Sequence, residues 1–403
     1  MTVIDRVEAR IHKNKNVLVV LSEAAESRIF ENFLGQVVFV NKSSLNLPDL
    51  TGKRLYLCGD ISVTRDLDLQ VADSVCVIDE LSQNNNNKYK RVNSGQVPVD
   101  IHGVGVFYPR YFDSEQNYFE RISQEHKFQN LTESNKPGVA HRTGIYLTPV
   151  EREGDDLHFN LLRCSTNLSG PTENFCATDK EIVEAINEEA DRLFFDHAEL
   201  NHVLAQIYRN KAATEGRKQA KARISSHADK TKDMPENGIM AFCTFYDELE
   251  KLQPLDGYDY GYKETSGLTK LHFRLKSSAE NSELPEQFTL TLYPGSVFFM
   301  PLSTNRLYTH EIKSSMLNAE MLPTRLGYVV RCSNTGAVHR DGQTFLKVND
   351  QLRALEEPTL EGMDELRKLY AEENRTTAFV DYANKFFFSM NKGDYTAPDC
   401  KDE

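Results

Sequence analysis

Two histidines and an aspartate in the second half of the chain have the types and order of a metal-ligand set. His227 and Asp229 are separated by a single residue, and His310 follows later in the sequence. Two imidazoles and one carboxylate can occupy one face of a ferrous ion and leave its remaining positions open. These three residues therefore predict a non-haem iron site, whose open positions would take O₂ and a reducing cosubstrate.

Two arginines downstream of His310 add a way to hold such a cosubstrate. Arg325 and Arg331 are six residues apart in the strand-like segment Arg325-Leu-Gly-Tyr-Val-Val-Arg331. Residues at even spacing point to the same side of a β-strand, so both guanidinium groups are expected to face one cavity with His310. Because Arg grips a carboxylate through two parallel hydrogen bonds, the pair suits a dicarboxylate cosubstrate.

Each of these features has an ordinary structural explanation when it is taken alone. A His-x-Asp pair is usually a surface turn, a single histidine is often structural, and two arginines can form a solvated strand face. The context favours a site, because strand-like runs and turns separate the candidates. Residues 288–292 and 296–300 predict two strands joined by a turn at 294–295, and His310 follows a loop before the arginine strand.

The order of these residues resembles that of the AlkB-like branch of the Fe(II)/2-oxoglutarate dioxygenases. The resemblance covers roughly residues 104–335. Arg325 and Arg331 match the two arginines of the family's Arg-x-Asn-x-Thr-x-Arg strand, although Gly327 replaces its Asn and Val329 replaces its Thr. The chain therefore has both arginine charges of the family's strand but lacks the two polar side chains that lie between them in the family.

The resemblance extends upstream of the metal ligands. Gln206-Ile-Tyr208 stands where the family has an Asn-x-Tyr pair that helps to hold 2-oxoglutarate, with Gln in place of Asn. Residues 294–310 resemble the strand and loop that precede the family's second metal histidine. Gln206 and Tyr208 are accordingly candidate cosubstrate contacts.

The resemblance implies both a fold and a chemistry. The implied fold class is α+β, with a double-stranded β-helix (jelly roll) core and buttressing helices. The implied reaction is that of an oxidoreductase: 2-oxoglutarate and O₂ are consumed, succinate is released, and a C–H bond of the substrate is oxidised. Fe(II) would be held by His227, Asp229 and His310, and 2-oxoglutarate by Arg325 or Arg331 with Tyr208 and Gln206.

The rest of the chain predicts two further domains around this region. Residues 1–100 predict a small α/β domain, because a helical segment at 24–32 alternates with short apolar runs at 17–21, 37–40, 54–58 and 75–78. No glycine-rich phosphate loop follows the first run, so a scaffold or interaction domain packed on the catalytic domain is expected. Residues 84–87 are expected to form an exposed linker. Residues 101–345 would form the dioxygenase domain, and residues 346–403 a C-terminal helical extension packed on the core.

Three segments have the residue spacing of helices. They are residues 111–127, the amphipathic segment 178–195 and the charged segment 347–373. Thr178 and Glu181 have the spacing of a capping box for the second of them. The aromatic residues at 386–388 are expected to pack on the core rather than to bind a ligand.

The composition of the 403-residue chain limits the class of protein. No apolar run approaches the length of a membrane span and no segment resembles a signal peptide, so no membrane partner is expected. Seven scattered cysteines without a Cys-x-x-Cys pair favour free thiols in a reducing compartment, which indicates an intracellular, cytoplasmic protein. The net charge of −13 disfavours nucleic acid as a partner unless a local basic patch overcomes it.

One basic stretch, which we call the basic insertion, interrupts this acidic background at residues 209–223. It is either a solvated loop or a cationic rim that draws an anionic substrate towards the iron. Under the second interpretation Arg209, Lys221 and Arg223 are candidate substrate contacts. The resemblance adds His141 and Arg142, which match the family's lid over the substrate but also suit a surface loop. The six cations of the insertion are Arg209, Lys211, Arg217, Lys218, Lys221 and Arg223, against one acid, Glu215.

Two substrate classes stay open, of which we favour the first. A small anionic, amino-acid-derived metabolite fits the acidic chain with its basic insertion, and its oxidation would give a hydroxylated or ring-closed biosynthetic product. An alkylated nucleobase of DNA or RNA, which the resemblance implies, would be demethylated. It needs a basic groove and a base-stacking pocket, and the chain has no Trp. The complete ligand set argues against a third hypothesis, a non-catalytic binding module.

Overall fold

The structure is a computed structural model with a mixed fold that is mostly sheet and has few helices. It describes residues 8–21, 29–40, 47–66, 68–83, 88–132, 139–280, 283–313, 315–349, 351–382 and 385–400. The predicted linker at 84–87 lies outside the described residues, as does most of the predicted helix at 24–32. None of the described helices is long and apolar enough to cross a membrane.

A parallel sheet forms the N-terminal part of the chain. Its elements are β1 (Arg10–Ile11), β2 (Asn16–Leu21), α1 (Ile29–Asn32), β3 (Gln36–Phe39), β4 (Arg54–Asp60), β5 (Ser74–Gln83) and β6 (Lys90–Val92). The strand order is β3-β2-β4-β5-β6, while β1 lies apart from this sheet. Val19 of β2 belongs to the buried cluster on one face and Leu18 to that on the other. Because a strand covered on both faces reads as a continuous apolar run, the sequence located β2 correctly.

The central part of the chain supplies the elements around the candidate site. It begins with β7 (Val99–Ile101), β8 (Gly105–Tyr108), α2 (Tyr118–Glu125), β9 (Gln129–Thr132), β10 (Val139–Thr148), β11 (Glu151–Glu153), β12 (Asp156–Leu161), β13 (Glu173–Asn174), α3 (Ala177–Leu193), β14 (Phe194–Phe195), β15 (His202–Tyr208), β16 (Ile224–His227) and β17 (Ile239–Asp247). It continues with β18 (Gln253–Pro254), β19 (Tyr260–Tyr262), β20 (Thr265–Ser266), β21 (Lys270–Leu275), β22 (Gln287–Thr291), β23 (Val297–Pro301), α4 (Leu302–Leu307), β24 (Tyr308–Lys313) and β25 (Thr324–Arg331).

Two sheets of this central part pack against each other. The larger has the strand order β13-β10-β15-β25-β17-β23-β8-β7, with β9 beside β10, and the smaller has the order β16-β24-β21-β22. Phe273 of the smaller sheet meets Phe298 of the larger edge-on, with ring centroids 5.5 Å apart. Phe242 of β17 meets His310 of β24 in the same way at 5.7 Å. A cavity remains between the smaller sheet and strands β15, β25 and β17, because residues of both sheets line it.

Helix α3 covers the opposite face of the larger sheet, as the amphipathic pattern at 178–195 predicts. Ile182 and Ile186 are fully buried in the cluster that also contains strand residues such as Val330. The predicted capping residues are wrong, because the helix begins earlier: the backbone N–H of Cys176 donates to the carboxylate of Asp179 at 2.8 Å. The predicted helix at 111–127 is also shorter than expected, since α2 starts at Tyr118.

The C-terminal part departs most from its prediction. Its elements are β26 (Thr335–Arg340), β27 (Gln343–Val348), β28 (Gln351–Ala354) and α5 (Leu360–Glu373). The helix predicted at 347–373 is therefore wrong up to residue 359, and β27 and β28 instead extend a sheet of order β11-β12-β26-β27-β28. Residues 360–373 are helical, as predicted. The described part of 379–390 is not helical, although Phe386 and Phe388 are buried against α5 as expected.

A missed turn explains part of this error. Asp341 and Gly342 have φ angles of 50° and 75° between β26 and β27. Two successive residues with positive φ make the turn whose twist matches a β-hairpin, and Asp-Gly is a strong sequence signal for it. The alternating burial of the residues that follow confirms a strand with one covered face.

Candidate metal and cosubstrate site

Two neighbouring strands bring the predicted metal ligands together. His227 ends β16 and is the direct cross-strand partner of His310 on β24, and their ring centroids lie 4.4 Å apart. Asp229 follows β16 by two residues, and its Oδ1 lies 3.5 Å from His227 Nε2 and 3.9 Å from His310 Nε2. Each residue offers one ligand atom, and these atoms lie within 4.8 Å of one another. This is the donor set of a facial two-histidine, one-carboxylate iron site.

Hydrogen bonds orient His227 for ligation. Its Nδ1 lies 2.9 Å from the backbone carbonyl oxygen of Ser225. A carbonyl oxygen can only accept, so this contact places an N–H on Nδ1, while Nε2 lies 3.5 Å from Asp229 Oδ1. Burial, followed by the neighbouring His227, lowers the pKa of His310 to about 3, so its imidazole is neutral. A neutral imidazole is the form that binds a metal.

Asp229 is buried and ionised. Burial alone would raise the pKa of its carboxyl group, but Arg331, His227 and His310 together hold that pKa well below its usual range. The Arg331 Nη2 group donates to Asp229 Oδ2 at 2.7 Å, which leaves Oδ1 turned towards the two histidines. Arg331 therefore holds the metal-facing carboxylate in place.

Two asparagines that the sequence analysis did not identify fix the backbone around Asp229. The predicted loop at 301–309 contains α4, whose buried Asn305 accepts from the Asp229 N–H at 2.8 Å and donates to the Asp229 carbonyl oxygen at 2.9 Å. Asn374, at the end of α5, accepts from the Ala228 N–H at 2.8 Å and from the Lys230 ammonium group at 2.9 Å. The C-terminal segment thus supports the loop that carries the candidate metal ligand Asp229.

Strand β25 presents its alternate residues to the cavity as its spacing predicts. Arg325, Gly327, Val329 and Arg331 all line a cavity of about 970 Å³ that also contains the three candidate metal ligands. Both arginines are buried. They have different partners, however, because Arg331 pairs with Asp229 whereas Arg325 has no carboxylate partner among the described residues.

Arg325 lies against the other two predicted cosubstrate contacts on the adjacent strand β15. Its guanidinium carbon is 4.0 Å from the ring centroid of its cross-strand neighbour Tyr208, whose hydroxyl group donates to Gln206 Oε1 at 2.7 Å. The Nη2 group of Arg325 is buried and has no hydrogen-bond partner among the described residues. An unsatisfied buried cationic donor costs free energy, so this position suits a bound carboxylate.

Gly327 makes room for this arrangement. A Cβ atom on Gly327 would lie 2.8 Å from Arg325 Nη1 and 3.3 Å from the Tyr208 ring. The side chain of Arg325 therefore runs back along its own strand, in the direction of Arg331 and the candidate metal ligands. This close approach gives a physical reason for glycine at the position where the AlkB-like pattern has Asn.

The basic insertion contributes less to the cavity than the sequence suggests. Of its six cations, all described, Lys221 and Arg223 line the cavity. Lys221 is already engaged, because its ammonium group donates to the carbonyl oxygens of Ser315 and Leu317 at 2.6 and 3.1 Å. Arg209 lies outside the lining and donates to Thr143 Oγ1 at 3.2 Å.

The two candidate lid residues, Arg142 and His141, also differ in what the structure shows of them. Arg142 lines the cavity. His141 belongs to β10, but its side chain is outside the described residues.

The basic insertion itself folds back through backbone bridges between Lys211 and Ala220 and between Thr214 and Arg217, with its tip exposed.

A second group of residues of metal-ligating types forms a hydrogen-bond network. Glu125, His126, Cys176 and Asp179 lie close together near the start of α3. Both ring nitrogens of His126 are used, since Nδ1 is 2.9 Å from Glu173 and Nε2 is 2.7 Å from Asp179. Asp179 also accepts from the Tyr328 hydroxyl group at 2.8 Å. These bonds tie α3 to α2 and β25, and we assign the group no chemistry.

Comparisons with known proteins give little beyond this geometry. No protein-family model matches the sequence, and no curated protein is found to be similar to it. Among solved structures, the chain is similar to the non-heme alpha ketoglutarate dependent epimerase SnoN from nogalamycin biosynthesis. The identity is 12%, the match covers 59% of this chain and 81% of that chain, and the TM-score is 0.31. A likeness at this TM-score defines neither the family nor the reaction.

Proposed function

We propose that the chain is an Fe(II)/2-oxoglutarate-dependent dioxygenase of the AlkB-like branch, with its two facing sheets forming a double-stranded β-helix. The observation that carries the proposal is a convergence of four buried or half-buried groups in one cavity. His227, Asp229 and His310 offer a ferrous ion two imidazoles and one carboxylate. Arg325 offers a carboxylate an unsatisfied cationic donor in the same cavity.

The residues of the cavity fit both Fe(II) and 2-oxoglutarate. Iron would be held by His227 Nε2, Asp229 Oδ1 and His310 Nε2, the atoms that face one another. 2-Oxoglutarate would place its distal carboxylate on Arg325, with Tyr208 beneath the guanidinium group. The metal and cosubstrate together would supply the oxidising chemistry that breaks a substrate C–H bond.

The chain itself supplies charge, orientation and shelter from water. Arg331 keeps Asp229 ionised and turned towards the metal position. Phe242 packs against His310 and Phe298 and so closes the inner wall with an apolar surface. A site with fixed dipoles and little water strengthens the electrostatic contacts within it.

A small anionic, amino-acid-derived metabolite is the substrate class that the cavity supports best, with hydroxylation or radical ring closure as the outcome. Arg142, which is half-buried, and Arg223, which is exposed, are both among the residues that line the cavity. The aromatic rings among the described lining residues, apart from the two histidines, are Tyr208 and Phe242. A flipped nucleobase is held by stacking between aromatic or apolar side chains, and Tyr208 is already stacked on the Arg325 guanidinium group, which leaves Phe242 as the described ring for that role.

We further propose that residues 101–345 carry the reaction. Residues 1–100 would act as a scaffold for this domain: Arg54 of the N-terminal sheet forms a two-pronged ion pair with Glu189 of α3, at 3.0 and 2.8 Å. Residues 346–403 would support the metal loop through Asn374. The C-terminal extension in this proposal combines strands with one helix instead of the helical unit expected from the sequence.

The experiment that tests this function measures succinate. The purified chain, supplied with Fe(II), 2-oxoglutarate and O₂, is expected to release succinate slowly alone and faster with small amino-acid-derived acids. Methylated oligonucleotides are assayed in parallel at physiological salt, with succinate as the readout. No iron-dependent succinate under any condition would reject the dioxygenase proposal. Efficient turnover of an oligonucleotide, with binding that weakens steeply as salt rises, would reject the small-molecule class and favour the nucleobase class.

A further inference from the structure

The cavity wall carries far more positive than negative charge. Its described lining contains the cations Arg142, Lys221, Arg223, Lys230, Arg325 and Arg331, and Asp229 as the carboxylate. A ferrous ion would add two further positive charges. Like charges gathered in a partly buried site repel one another unless anions offset them. The excess of positive charge on the cavity wall therefore indicates that the cavity binds anionic ligands.

Three of these cations already have partners in the protein. Arg331 pairs with Asp229 at 2.7 Å, and Lys230 lies 3.8 Å from the carboxylate of Glu373 behind the wall. Lys221 is held by two backbone carbonyl oxygens. Under the proposed function, on which this inference rests, 2-oxoglutarate takes Arg325. Arg142 and Arg223 are then left over.

These two arginines have no anionic partner within the described part of the chain. No described carboxylate lies within the 4.0 Å ion-pair distance of either guanidinium group. Cosubstrate does not account for both, because its two carboxylates are taken up by Arg325 and by the metal. The half-buried Arg142 and the exposed Arg223 therefore remain available at the cavity for a different anionic ligand.

The two arginines reach the cavity from different sheets. Arg142 on β10 is the cross-strand partner of Tyr208, which is in turn the partner of Arg325 on β25, so Arg142 and Arg325 flank Tyr208 in one row of the larger sheet. Arg223 precedes β16 of the smaller sheet by one residue, on the strand that ends at His227. Guanidinium groups carried by separate sheets suit two separate anionic groups better than one.

We propose that the primary substrate is a small dicarboxylic acid, and that Arg142 and Arg223 each bind one of its carboxylates. Guanidinium groups bind carboxylates through two parallel hydrogen bonds, so each arginine sets the position of one end of the molecule. The carbon chain between the two ends would then lie across the cavity that contains His227 and His310. Arg142 and Arg223 are thereby assigned as specificity-determining residues.

Anaerobic titration calorimetry tests this directly, because without O₂ the complex with Fe(II) and 2-oxoglutarate does not turn over. The protein is saturated with both and titrated with malonate, succinate, glutarate and adipate, each beside its monomethyl ester. At least one diacid is expected to bind roughly tenfold or more tightly than its ester, which lacks one charge. R142Q and R223Q should each remove that preference. K218Q, which makes the same change of charge in the basic insertion but outside the cavity lining, should keep it.

The outcomes separate this inference from the proposed function. If 2-oxoglutarate binds in the presence of Fe(II) but no diacid is preferred over its ester, the dicarboxylate assignment is wrong and the dioxygenase proposal stands. A preference that survives in both arginine variants likewise rejects the assignment. Failure of 2-oxoglutarate itself to bind would instead reject the function on which the assignment rests.

Discussion

Replacing Asp229 by alanine is expected to abolish iron retention and succinate formation. The variant loses the one anionic member of the candidate ligand set, and two imidazoles alone bind a ferrous ion far more weakly. It also leaves Arg331 buried without its carboxylate partner, which at present lies 2.7 Å away. Breaking a buried ion pair by removing one partner costs about 3–5 kcal/mol of folding free energy. Metal analysis and a denaturation curve of the metal-free protein measure the two effects separately.

Two further variants distinguish lost ligation from lost stability. H227A removes a half-exposed ligand that leaves no buried charge behind, so it should lose iron with a smaller loss of stability. The double variant D229A/R331M removes both members of the buried pair and should recover part of the stability without recovering iron. If D229A retains one iron per chain with undiminished turnover, the assignment of the metal site is wrong.

Replacing Arg325 by methionine is expected to raise the 2-oxoglutarate concentration required for activity by orders of magnitude. Arg325 is buried and carries an unsatisfied Nη2 group in the cavity. Truncating one partner of a buried, hydrogen-bonded charge pair costs about 2–5 kcal/mol, which corresponds to a loss of roughly 30-fold to several thousand-fold in Kd. Iron binding should be kept, because Arg325 does not contact the three metal ligands. Titration of 2-oxoglutarate into the iron-loaded variant measures the loss.

Gly327→Ala provides a matched variant that displaces this charge without removing it. Its new Cβ would meet Arg325 Nη1 at 2.8 Å, and the flexible end of the arginine would have to move. We expect weaker 2-oxoglutarate binding with little change in stability. R331M should behave differently, because it releases Asp229 and so weakens iron binding as well. An unchanged 2-oxoglutarate requirement in both arginine variants would reject the cosubstrate assignment.

The sequence predicted those parts of the site that depend on local periodicity. Alternation along β25 places Arg325, Gly327 and Arg331 on one face, because the side-chain period of a strand is two. The continuous apolar run of β2 likewise marked a strand covered on both faces. In both cases the local pattern and the tertiary environment agree.

The supporting residues could not be predicted in this way. Asn305 and Asn374 lie far from Asp229 in the sequence, and their hydrogen bonds to its loop exist only after α4 and α5 have packed. The charge run at 209–223 was too coarse a signal, because its hairpin-like bridges turn most of its cations away from the cavity. The first part of the helix predicted at 347–373 is wrong because the positive φ angles of Asp341 and Gly342 turn the chain back into a hairpin.

Under the proposed function, 2-oxoglutarate binds to this chain next to an iron held by His227, Asp229 and His310. The most direct measurement is the affinity of the chain for 2-oxoglutarate under anaerobic conditions, with Fe(II) and without it. Because the keto-acid end is expected to rest on the metal, Fe(II) should tighten 2-oxoglutarate binding strongly at one site per chain, and 2-oxoglutarate should tighten Fe(II) binding by the same factor. H310A should remove this mutual dependence. Equal affinity for 2-oxoglutarate with and without Fe(II) would contradict the claim.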